Sequence, residues 1–159
     1  MSSKHARRKF LCAAGGMAAA AALPTAAIAQ GRDLRGTEKD MQAAIAKVTG
    51  GAAVAKGRVR LDVPPLVDNG NTVAISVAVD SPMTEADHVK ALHIFSERNP
   101  EPVILSFKLG PRSGRASVAT RVRLADTQTV VAIAQMSDGT FWSGSAPTVV
   151  TIAACLEEI

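Results

Sequence analysis

Thr72-Val73-Ala74-Ile75-Ser76-Val77-Ala78-Val79 sets a large β-branched residue at every second position and a small or polar one between. Successive side chains of an extended strand point to opposite faces, so Val73, Ile75, Val77 and Val79 share one face and Thr72, Ala74, Ser76 and Ala78 the other. The pattern predicts a half-buried strand, because a helical period would distribute the branched residues around the whole circumference. Similar β character recurs in runs at 89–96, 102–109, 116–124, 129–136, 140–143 and 147–153. The runs are separated by Asp68-Asn69-Gly70-Asn71, Ser81-Pro82, Asn99-Pro100-Glu101-Pro102, Pro111-Arg112-Ser113-Gly114 and Ser137-Asp138-Gly139, all of which have turn chemistry. Asp138-Gly139 has the better hairpin signature. Asn69-Gly70 is weaker, since Pro64-Pro65 interrupts the strand before it.

About seven or eight short strands, with a turn roughly every ten residues, predict an all-β fold: an immunoglobulin-like antiparallel β-sandwich. An N-terminal helix precedes it at about 37–49. Thr37 and Asp40 resemble a capping pair, Met41, Ala44, Ile45 and Val48 fall at helical spacing, and Gly50-Gly51 ends the run.

Residues 1–29 read as a twin-arginine export signal, with Arg7-Arg8 before Phe10-Leu11, an Ala-rich run, and Ala27-Ile28-Ala29 as a cleavage site. The alternative is an uncleaved membrane anchor, because the run from Phe10 to Ala29 approaches bilayer length. Weakly hydrophobic Ala and Gly, and Pro24 before the cut, favour cleavage, which leaves no stable membrane anchor. The expected location is the periplasm. The leader holds Lys4, Arg7, Arg8 and Lys9 and no acid, so the remainder carries 14 of the 18 basic residues against all 14 acidic ones. A near-neutral domain with few aromatics and no basic cluster gives nucleic-acid binding little support. The expected domain is residues 30–152, followed by an arm at 153–159.

The chain has two cysteines, Cys12 in the leader and Cys155. Once Cys12 is removed, Cys155 cannot close an internal disulfide, so its use is chemical, intermolecular or nil. His88 and His93 are an odd number of residues apart and would face opposite sides of one strand, with no zinc-like spacing nearby. No nucleophile elbow or triad spacing occurs, and no cofactor or metal is expected. Asp80 and Ser81 read as turn residues, Trp142 as a packing residue, and Arg121 and Arg123 as one solvent-facing side of a strand with a possible anion or partner role.

Pro65-Leu66-Val67-Asp68-Asn69-Gly70-Asn71-Thr72-Val73, Val79-Asp80-Ser81-Pro82-Met83, Asn99-Pro100-Glu101-Pro102, Ser113-Gly114, Arg121-Val122-Arg123-Leu124 and Met136-Ser137-Asp138-Gly139 together resemble the SoxY family. These are sulfur-carrier subunits of periplasmic thiosulfate oxidation. The resemblance implies an immunoglobulin-like domain that forms a heterodimer with a SoxZ-like subunit. It also implies a covalent carrier rather than an enzyme, with intermediates held on a cysteine in a mobile Gly-Gly-Cys-Gly-Gly arm. A haem-containing enzyme would load that thiol and a manganese-dependent hydrolase would release sulfate. By position the attachment residue is Cys155.

The arm departs from the family pattern. It reads Ala153-Ala154-Cys155-Leu156-Glu157-Glu158-Ile159, with no glycine on either side of the thiol. Ala153, Ala154 and Leu156 restrict the backbone and thicken the arm, while Glu157 and Glu158 disfavour a thiolate and repel an anionic substrate. Reach is less of a constraint, since Thr151 to Cys155 extend roughly 17 Å if they leave the sheet. The departure supports an alternative function, a SoxY-like binding or accessory module that has lost the carrier role. A disulfide-linked homodimer through Cys155 is the alternative to the heterodimer. Few charges in the runs at 72–79 and 129–136 also point to a face or edge covered by another protein.

Overall fold

The computed structural model describes residues 34–154. The export signal at 1–29 and, in the arm, Cys155, Leu156, Glu157 and Glu158 lie outside the described residues. The first element is α1 (Glu38–Thr49). Thr37 is its N-cap, and the capping box is complete: Asp40 N–H donates to Thr37 Oγ1 at 3.3 Å and Thr37 N–H donates to Asp40 Oδ2 at 3.0 Å. The Thr37 hydroxyl, which donates to Asp40 Oδ2 at 2.6 Å, and then the Thr37 N–H hold the Asp40 carboxyl below the usual carboxylate range. Gly50 caps the other end.

Nine strands follow among the described residues: β1 (Val54–Lys56), β2 (Val59–Asp62), β3 (Leu66–Asn69), β4 (Val73–Val79), β5 (Val89–Ser96), β6 (Val103–Lys108), β7 (Ser117–Val122), β8 (Gln128–Met136) and β9 (Phe141–Ile152). They form a large sheet in the order β1-β9-β8-β5-β6, with β3 also on β9, and a three-stranded sheet in the order β2-β4-β7. The result is the expected immunoglobulin-like sandwich. Its pairings are antiparallel except on the outer edge of β9, where β1 joins the start and β3 the end in parallel.

In β4, Val73, Ile75, Val77 and Val79 are buried, and they meet Val89, Leu92, Ile94, Val130, Ala132 and Met136 of the large sheet in the core between the layers. A second core covers the other face of the large sheet, where Met41, Phe95, Ile133 and Phe141 pack with Ala44, Ile45 and Val48 of α1. Alternation along β9 places Phe141 in the second core and Trp142 against the first.

The runs at 140–143 and 147–153 are one strand, not two. Gly144 and Pro147 disfavour a continuous strand locally, but both belong in β9. Gly144 lies so close to the Val59 carbonyl that a Cβ would collide with it. Pro147 opposes Thr129 in the ladder. Val149 N–H donates away from β8, to Pro65 O at 2.9 Å, and Pro147, two residues earlier, presents its nitrogen to that same side. There β9 has no ladder partner between β1 and β3 among the described residues, so the missing N–H costs no strand pairing.

Asp138-Gly139 does make the β8–β9 hairpin: Gly139 N–H donates to Met136 O at 3.1 Å and Thr140 N–H to Asp138 Oδ1 at 2.8 Å. Asn69-Gly70 instead carries the chain from the large sheet into β4 of the small one. The sparse charge of 129–136 also has an internal cause. β8 lies between β5 and β9 with a core on each face, so it needs no further protein to cover it.

Candidate functional site

Among the described residues no group of His, Cys, Asp and Glu could hold a metal ion. His93 lies on β5, with Nδ1 2.8 Å from Ser106 Oγ, and burial lowers its pKa. His88 precedes β5, with Nδ1 3.0 Å from Thr84 O. Arg121 and Arg123 are exposed, and Val122 and Leu124 are buried. An open groove of about 780 Å³ crosses the outer face of the small sheet, where its polar lining includes Asp62, Ser76, Thr120 and Arg121.

Trp142 and the Asp80–Met83 segment lie in a fastened region near the β8–β9 hairpin. Met83 N–H donates to Ser81 Oγ at 3.2 Å. Arg58 donates from Nε to Asp80 O and from Nη2 to Asp87 Oδ2, each at 3.0 Å. Its guanidinium also sits 5.7 Å from the centre of the Trp142 ring. Packing accounts for Trp142, and Met136 is fully buried.

The end of β9 that leads to Cys155 has a different construction. β8 stops pairing at Thr148, and beyond it Val150 N–H donates to Thr127 Oγ1 at 3.0 Å. On the other edge β3 pairs Leu66 with Val149 and Asn69 with Ile152. Gly70 N–H donates to Ile152 O at 2.8 Å, Leu124 N–H donates to Gly70 O at 2.8 Å, and Ala154 N–H donates to Leu124 O at 3.1 Å. Gly70 is required by this approach, because a Cβ there would collide with the Leu124 carbonyl and come within 2.9 Å of Val150 Cγ1.

Leu124 is in turn held by a buried polar network. Asn99 Nδ2 donates to Arg123 O at 2.8 Å, and Ala125 N–H donates to Asn99 Oδ1 at 2.9 Å. Gln128 Nε2 donates to Asn99 Oδ1 at 3.3 Å, and Gln128 Oε1 accepts from Arg98 N–H at 2.9 Å and from the Ser96 hydroxyl. These bonds leave the two backbone groups flanking Leu124 satisfied without a strand, which is why β7 ends at Val122 rather than at 124.

Of the arm residues singled out in the sequence, Ala153 is exposed and Ala154 is buried. Ala154 therefore sits against the sandwich. Gly70, Leu124, Asn99 and Gln128 were not foreseen as neighbours of the arm. In the sequence Asn69-Gly70 and Asn99-Pro100 carry only turn signals. Leu66, Val149 and Ile152, on β3 and β9, are large apolar residues left exposed beside this site.

The sequence profile described as "Sulfur oxidation protein SoxY" matches residues 45–155, from within α1 through the sandwich to Cys155. The chain belongs to the SoxY family. Among solved structures it is similar to the sulfur carrier protein SoxY from Chlorobium limicola f thiosulfatophilum, with 26% identity and a TM-score of 0.61 over 72% of this chain and 98% of that one. The superoxide reductase (neelaredoxin) from Ignicoccus hospitalis shares the fold at 14% identity and a TM-score of 0.53, covering 59% of this SoxY-family chain and 80% of its own. The superoxide reductase from Nanoarchaeum equitans does so at 10% identity and a TM-score of 0.50, covering 60% and 99%. No curated protein sequence matches the chain significantly.

Proposed function

We propose that this SoxY-family protein carries sulfur-oxidation intermediates covalently on Cys155, as a non-enzymatic subunit paired with a SoxZ-like partner in the periplasm. The observation that carries this reading is the family match through the sandwich to Cys155, supported by the likeness to a sulfur carrier over nearly all of that carrier's length. The base of the arm supports it too: β9 brings the chain to the edge of the sandwich next to exposed Leu66, Val149 and Ile152, an apolar surface suited to a partner. Among the described residues β6 pairs only with β5 and β7 only with β4, so edges for a SoxZ-like subunit are present.

In the proposed cycle the Cys155 thiol gives up its proton to solvent, and its sulfur bonds to the outer sulfur of thiosulfate. The two electrons released pass to a haem-containing partner. A manganese-dependent partner then adds water across the bond to the sulfonate group, releasing sulfate and protons and leaving a persulfide on Cys155. Export by the twin-arginine route would place the carrier with these enzymes. Intact-mass spectrometry tests the reading: incubation with thiosulfate, an oxidant and the partner enzymes should add mass to the protein and none to Cys155→Ser. No Cys155-dependent increase would sink it.

One feature favours a second reading, an accessory module that has lost the carrier role. Ala153, Ala154 and Leu156 stand where the family arm has glycine, and Ala154 is bound to the sandwich. That reading is excluded if Cys155→Ser abolishes sulfur oxidation while partner binding persists.

A further inference from the structure

Ile152 ends β9, and the two residues after it differ. Ala153 is exposed, whereas Ala154 keeps 2% of its surface and donates its N–H to Leu124 O. The seat that receives Ala154 is rigid. Leu124 is fully buried, its N–H is taken by Gly70 O, and Asn99 grips the chain on both sides of it. Gly70 also holds Ile152 through its own N–H, so one short ladder of three backbone bonds fixes Ile152, Gly70, Leu124 and Ala154 together. A methyl group and an amide are thus docked one residue before Cys155.

We propose that Ala154 is a latch. Seated against Leu124, it keeps the residues before Cys155 on the sandwich, and it must unseat for the thiol to be delivered into a partner's pocket. The proposal rests on Cys155 being the carrier thiol. Extended from Thr151, the arm would reach roughly 17 Å, but with Ala154 seated the chain is held on the body as far as residue 154. The seat is weak enough to open in use. It consists of one backbone hydrogen bond and one buried methyl, worth about a tenfold bias toward the seated form once the cost of ordering the chain is set against them. A partner that needs the extended arm therefore meets about a tenfold reduced affinity until it has captured the open form. A methyl suits the recess, and a charged side chain would have to leave it.

The test compares the unmodified chain with Ala154→Gly, which keeps the N–H and removes the methyl, and Ala154→Asp, which cannot stay seated. Amide exchange at Ala154 reports the seat. Cys155 is then alkylated with free iodoacetamide and with a maleimide held on a short linker to dextran, which only an extended arm reaches. The expected results are a protected Ala154 amide in the unmodified chain and a ratio of dextran-maleimide to iodoacetamide rates that rises about tenfold in Ala154→Asp and by an intermediate factor in Ala154→Gly. Dividing by the iodoacetamide rate removes the effect of the new charge on the thiol. An unprotected Ala154 amide, or a ratio that neither variant changes, overturns the latch. Neither readout uses a sulfur substrate. A failed latch thus leaves the mass test of Cys155 standing, and a failed mass test leaves the latch standing.

Discussion

At its start β9 presents Phe141 to α1 on one face and Trp142 to the intersheet core on the other, with β8 and β1 paired on its two edges. At its end the β8 ladder has stopped, Val149 and Ile152 are exposed, and the chain is held by β3, the Thr127 hydroxyl and the three bonds around Gly70 and Leu124. One strand therefore runs from a region buried on both faces to one where, of residues 149–152, Val150 alone still reaches the core and individual polar bonds hold the exposed residues beside it. Burial is distributed over many contacts and yields only with the whole core, whereas a few hydrogen bonds at an edge can open locally. Under the proposed carrier role, which asks the segment to stay folded and still release its last residues, this arrangement serves both needs.

Phe141 anchors the start of the strand. Phe141→Ala empties a site shared by α1, β5 and β8 and should cost about 3–5 kcal/mol of global stability, read as a lower urea midpoint by circular dichroism. A loss below about 1 kcal/mol would mean that the start of β9 is not anchored by burial.

Asn99 lies between the two regimes, because it is 8% exposed yet acts through polar bonds. Asn99→Ala leaves the Ala125 N–H and the Arg123 carbonyl without their side-chain partners and should cost about 2 kcal/mol. It should also speed amide exchange at Ala154, since the segment bearing Leu124 loses its support. If stability falls but exchange at Ala154 does not change, the network supports the core and not the arm.

The two ends of β9 also differ in how well they can be read from sequence. α1 was legible because its signals are local: Thr37 caps Asp40 three residues away, and Met41, Ala44, Ile45 and Val48 share a face. β4 and the Asp138-Gly139 hairpin were legible for the same reason. The parallel docking of β1 and β3 on β9 was not, because Leu66 and Val149 are brought together only by the tertiary fold. Gly144 and Pro147 even pointed the wrong way, since their local preference is for a break, and a crossing carbonyl and an unpaired edge override it. At the site, counting residues was enough to single out Cys155. The seat before it was hidden, because Gly70, Asn99, Leu124 and Ala154 come from distant parts of the chain. Nothing local distinguishes exposed Ala153 from buried Ala154.

The smallest expected effect gives the sharpest view of the difference. Thr127 is exposed, and its hydroxyl accepts the Val150 N–H just beyond the last β8 pairing. Thr127→Val keeps the branched shape and removes that acceptor, a local loss of about 1 kcal/mol, so exchange at the Val150 amide should rise about fivefold. The urea midpoint should hardly move, because opening at the end of β9 withdraws only Val150 from the rim of the first core and leaves the second intact. A midpoint shift as large as that of Phe141→Ala would show that the end of β9 unfolds only with the rest of the sandwich. In that case a latch at Ala154 could not open without global unfolding, and the contrast between the two ends of the strand would disappear.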